Sequence, residues 1–92
     1  MRGSINFYAG EIKEVSAQVR ARNPDEVVVV TKAKYSLKNI ANGETVEDGT
    51  LEIDGDTVSV ILNADEPGTF ELKFSVTVGA ETFIEKAVVH VA

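Results

Sequence analysis

The sequence predicts an all-β fold, a two-sheet antiparallel β-sandwich of about seven short strands. Three observations carry this. Apolar residues recur at every second position almost throughout, and no window of eleven or more residues keeps the three-and-four spacing of a helix. Turn-forming pairs, Asn42-Gly43, Asp54-Gly55 and Gly79-Ala80, break the alternation into pieces of strand length. The chain has 92 residues, 43% of them apolar, enough for one core and too few for two. One domain is therefore expected over residues 5–92, with Met1 to Ser4 read as a leader of uncertain origin. A single meander would leave a hydrophobic face wet, so two facing sheets are the expected arrangement.

Taken in order, a short strand is expected around Ile5 to Tyr8. The next alternates Val15, Ala17, Val19 and Ala21 inward against Ser16, Gln18, Arg20 and Arg22 outward. Asn23-Pro24-Asp25 ends it with turn chemistry and a residue that cannot donate to a ladder. In "VVVVTKAKYSLK" the odd positions, Val27 to Leu37, read as inward, and Lys32, Lys34, Ser36 and Lys38 as outward. The even Val28 and Val30 are apolar too, so this end of the strand is expected to be covered on both faces. "NIANGE" reads as a loop with Asn42-Gly43 suited to positive φ. Thr50 to Leu62 reads as a hairpin about Asp54-Gly55, with Leu51 and Ile53 facing Val58, Val60 and Leu62. Thr69 to Val78 is the clearest strand: Phe70, Leu72, Phe74, Val76 and Val78 share one side. Gly79-Ala80 then turns the chain into a last strand lined by Phe83, Ala87, Val89 and Val91. The expected core contains Val19, Tyr35, Leu51, Val60, Phe70, Leu72, Phe74 and Val89.

The corner "DEPGTFEL" explains why an acidic Pro-Gly turn leads into such regular alternation. Glu66, Gly68, Phe70 and Leu72 stand at offsets that resemble the entry to the F strand of an immunoglobulin-type domain, in which glycine allows the reversal and an aromatic plugs the core. Antibody domains are a poorer match. Phe70 lacks the hydroxyl of a tyrosine corner, Leu72 stands where the second cysteine would be, and the chain has no tryptophan. Within the wider immunoglobulin-like class, "AKYSLKN", "DGTLEIDGDTVSVIL" and "PGTFELKFSVTVGAETFIEKAVVHV" are similar to small bacteriophage and prophage virion modules. The resemblance spans residues 5–92 and implies a structural, protein-binding role. Bacterial surface and adhesion modules share these motifs and form the alternative.

Composition narrows the chemistry. The absence of cysteine excludes disulfides, thiolate metal sites and thiol nucleophiles. A net charge of −6 opposes phosphate backbones and anionic membranes, so nucleic acid is not an expected partner. No apolar run approaches the ~20 residues of a membrane-spanning helix. "MRGSINFYAG" lacks the apolar stretch of a secretory signal. The expected location is accordingly the cytoplasm before assembly and then the virion, or the cell surface if a leader has been removed.

Candidate catalytic groups are few. His90, the only histidine, alternates with Val89 and Val91 and should point outward, with no nucleophile and acid converging on it. Glu52, Asp54 and Asp56 crowd one turn, but the six to eight oxygens of a calcium loop are not in prospect, and Asp-Gly is ordinary hairpin chemistry. No glycine-rich phosphate loop and no exposed aromatic platform are apparent. The chain is thus read as a non-enzyme without cofactor or metal, its partners being other proteins, copies of itself or virion proteins. Val28 and Val30, expected on the outward face of their strand, are the candidate interface. Two readings of that strip stand side by side: cover by the N-terminal segment, or an assembly contact.

Overall fold

The computed structural model describes residues 3–20 and 27–92. Among these residues lie eight strands: β1 (Ser4–Phe7), β2 (Ile12–Gln18), β3 (Lys32–Asn39), β4 (Thr45–Thr50), β5 (Glu52–Asp54), β6 (Thr57–Asn63), β7 (Gly68–Val78) and β8 (Glu81–Val91). They form a five-stranded sheet, β1-β8-β7-β3-β4, and a three-stranded sheet, β2-β6-β5. Among the described residues there is no helix. The expected turn at Asn23-Pro24-Asp25, with Ala21 and Arg22, lies outside the described residues.

Strand β7 organises the larger sheet because it is paired along both edges, to β3 and to β8. Its alternate residues Phe70, Leu72, Phe74 and Val76 are buried against the other sheet. Phe74, Leu72 and, from the facing sheet, Val58 are the largest side chains enclosed completely. Full burial of such a side chain stabilises by about 1.5–3 kcal/mol. Leu51 and Val89 join this core, while Val19, Tyr35 and Val60 pack against it half-buried.

The tight turns follow the backbone chemistry of glycine. Val78 pairs with Glu81 across Gly79-Ala80, and Gly79 takes φ 60°. Asp54 pairs with Thr57, so the two loop residues of the other hairpin are Gly55 and Asp56, one step beyond the expected Asp54-Gly55. Gly55, at φ 62°, supplies the positive φ that a II′-type loop requires at its first position.

Several expectations need correction. The sandwich is not antiparallel throughout: β1 runs parallel to β8, pairing Ile5 with Val89 and Phe7 with Val91. Ser4 pairs with Val88, and the Gly3 carbonyl accepts a 3.1 Å hydrogen bond from the Val88 amide. Gly3 and Ser4 are thus joined to the edge of the larger sheet. Strand β4 was not expected, because its residues are nearly all exposed and leave no apolar alternation to read. It is held by its ladder to β3, which shifts register between Leu37 and Lys38.

The valine run is reversed in parity. Val30 is 5% exposed and belongs to the core, whereas Val27 and Val29 are exposed. The backbone shows why. The Val30 amide reaches the Gly55 carbonyl beside the smaller sheet, and the next amide, Thr31, donates to Thr77 of the larger one. The chain crosses between the sheets at this step. The inward direction is set afresh by the second sheet, so Thr31 and Lys32 are both exposed and Ala33 is the next buried residue.

Candidate interaction surface

Of the expected interface pair, Val28 is half-buried and Val30 is enclosed in the core. A side chain enclosed there cannot contact a partner, so Val30 faces the core and not outward as expected. The side chains presented to solvent are Val27, 87% exposed, and Val29, 58% exposed. The sequence signal, four consecutive valines, marked exposed apolar side chains but assigned them the wrong parity.

A second feature lies between the β3–β4 hairpin and the β6–β7 connection. Here the two sheets part to leave an open cleft of about 710 Å³. Its floor is apolar, with Leu37, Leu62, Phe70 and Val89, and four carboxylates stand along it at Glu44, Glu47, Asp65 and Glu66. Gly68 turns the chain at this end with φ 150°, bringing Phe70 into the floor. An apolar floor beside negative charge suits extended segments that carry both apolar and basic side chains.

Asp56 accepts a 2.9 Å hydrogen bond from Gln18 Nε2 and a 3.2 Å bond from the Thr57 hydroxyl, tying the β5–β6 turn to β2. The Gln18 hydrogen bond, above all, holds its carboxyl below the ordinary carboxylate range. Tyr35 lies opposite Gly49, where an added Cβ would come within 3.2 Å of the ring at Cε1. Partial burial, then the Glu47 carboxylate, raises the Tyr35 hydroxyl above its usual pKa. His90 is exposed on β8, opposite Thr69. Among the described residues no group of three or more His, Asp or Glu is placed to hold a metal ion.

No protein-family model matches the sequence. No curated protein matches it either. Among solved structures the chain is similar to an immunoglobulin domain in the titin M10–obscurin-like 1 complex, with a TM-score of 0.53 and 18% identity over 99% of this chain and 86% of that one. A mutant form of that complex gives the same score and identity, over 99% and 85%. A putative glycoside hydrolase from Bacteroides vulgatus also matches, at TM-score 0.53 and 18% identity. That match covers 95% of this chain and only 16% of the hydrolase. Identities at this level speak to architecture, and the strand order agrees. Strands β8-β7-β3-β4 correspond to the G-F-C-C′ order of an immunoglobulin sheet and β2-β6-β5 to its B-E-D partner. The chain folds as an immunoglobulin-like two-sheet β-sandwich.

Proposed function

We propose that this chain is a non-catalytic, protein-binding module serving as a structural component of a phage or prophage virion. The observation that carries the binding role is the pair Val27 and Val29, large apolar side chains held out to solvent beside the crossing between sheets. Burying such side chains against a partner gains the apolar transfer energy that the isolated fold leaves unused. The virion assignment draws on the likeness of the β7–β8 hairpin sequence, "PGTFELKFSVTVGAETFIEKAVVHV", to virion immunoglobulin-like modules. On this reading the chain folds in the cytoplasm and docks onto a particle as a rigid spacer.

The test is to induce particle formation in the source cell, purify particles on a density gradient and probe the fractions for this chain. Recovery with the particles, lost in the Val27→Lys/Val29→Lys double variant, is the expected result. Recovery in the cell envelope instead would replace the virion role with that of a bacterial surface or adhesion module. Equal recovery of the double variant would remove the valines from the contact.

A further inference from the structure

The register of the two sheets sorts the charges by face. Lys32, Lys34, Lys38, Lys73 and Lys86, every lysine except Lys13, stand on the outer face of the five-stranded sheet. They alternate with residues such as Ala33, Leu72, Phe74 and Ala87, which point into the core. Only Glu71 and Asp48 oppose them on that face, opposite Lys38 and Ser36. Glu71 pairs with Lys38 at 3.7 Å, and among the described residues no ion pair joins the other four lysines. Lys73 and Lys86 sit directly opposite each other across the β7–β8 ladder, an arrangement that repels when left uncompensated.

The outer face of the three-stranded sheet has the opposite character. Its strands present Glu14, Glu52 and Asp54 there and no lysine or arginine. Arg20, the next cation along the chain, follows the last paired residue of β2. Each face also holds exposed apolar side chains: Ile84 among the lysines, Ile12 and Ile61 among the acids. A protein of net charge −6 thus carries a lysine-rich sheet face on one side of the sandwich and an acidic face on the other.

We propose that these faces bind one another between copies, the lysine face of one molecule seating on the Glu14/Glu52/Asp54 face of the next. The argument rests on charge complementarity and does not depend on the virion role. Three lysines in excess of acids on one face meet three acids on the other, and the exposed isoleucines supply apolar contact within the charged rim. The molecule measures 43 × 22 × 20 Å, so a long side of the sandwich, the sheet together with its flanking loops, is of the order of the ~800 Å² per partner of a standard interface. The contact is head-to-tail, since the two surfaces differ. Each added copy leaves both faces available at the ends, so growth continues until rotation closes a ring.

Sedimentation velocity across protein concentration, at low salt and in 1 M NaCl, tests this. At low salt the sedimentation coefficient should climb past that of a dimer as concentration rises. It should fall to the monomer value in 1 M NaCl, where charges are screened beyond about 3 Å. Lys34→Glu/Lys73→Glu and Glu14→Lys/Glu52→Lys alter exposed or half-exposed outward positions and should keep the wild-type circular-dichroism spectrum. Each alone should associate at least about tenfold more weakly, the low end for losing a close charge pair. Mixing the two should restore association, because each retains one native face that fits the other. A wild-type chain that stays monomeric at low salt overturns the proposal, including when its lysine face binds a polyanion such as polyaspartate instead. Unchanged association in either variant, or no rescue on mixing, overturns it as well.

Discussion

Replacing Gly68 with alanine isolates the contribution of the corner between the sheets. Gly68 has φ 150°, outside the range that a residue with a side chain adopts readily. A Cβ placed there would meet the Phe70 ring at 3.4 and 3.5 Å, ordinary contact distances, so crowding adds little. The cost is therefore backbone strain, about 1–3 kcal/mol. Against it stands about 0.4–1 kcal/mol from the lower entropy of the unfolded chain when glycine is replaced. At the middle of both ranges the net loss is about 1.3 kcal/mol, which in a domain of this size lowers Tm by about 5–10 °C. Valine should cost more than alanine, since its methyl groups reach further toward the buried Phe70. Glu71→Val, on the outward side of the same strand, should stay within about 0.5 kcal/mol. Urea unfolding followed by circular dichroism measures all three, with an unchanged m-value showing that only stability has moved. If Gly68→Ala matched the wild type, or Glu71→Val lost as much, the corner would not require glycine and the reasoning from φ would fail.

Phe74 is fully enclosed, so Phe74→Ala should cost about 3–5 kcal/mol in the same urea assay, and a loss under about 1 kcal/mol would contradict its place at the centre of the core. Val30→Lys buries an unpaired ammonium and should unfold the domain or remove most of its stability, whereas Val27→Lys and Val29→Lys should each change it by about 0.5 kcal/mol or less. The reverse order in thermal melts would restore the outward assignment of Val30. Asp56 titrates below its ordinary value chiefly through the Gln18 hydrogen bond, so its contribution to stability is present above the usual carboxylate pKa and is lost as pH falls through the lower folded value. In a carboxyl-carbon NMR titration Gln18→Ala should raise the Asp56 pKa toward normal, and an unmoved midpoint would dismiss the Gln18 contact as its cause.

Which parts of this molecule could be read from its sequence follows from the range of the forces involved. The alternation Phe70 to Val76 needs no knowledge of neighbours, because the two-residue period of an extended chain places those side chains together on any half-buried strand. The β7–β8 turn at Gly79-Ala80 and the glycine at position 68 were likewise legible, since positive φ is a local demand that glycine meets. Strand β4 was hidden because its stability comes from backbone pairing to β3 and leaves no pattern in its exposed side chains. The valine run misled because parity is a rule within one sheet, and between Val30 and Thr31 the chain leaves one sheet for the other. That Lys32, Lys34 and Lys38 point outward was readable from β3 alone. That they share a face with Lys73 and Lys86, with the acids of β2 and β5 behind them, depended on which strands pair. Strand pairing joins residues far apart in sequence, so only the assembled sandwich decides which charges become neighbours.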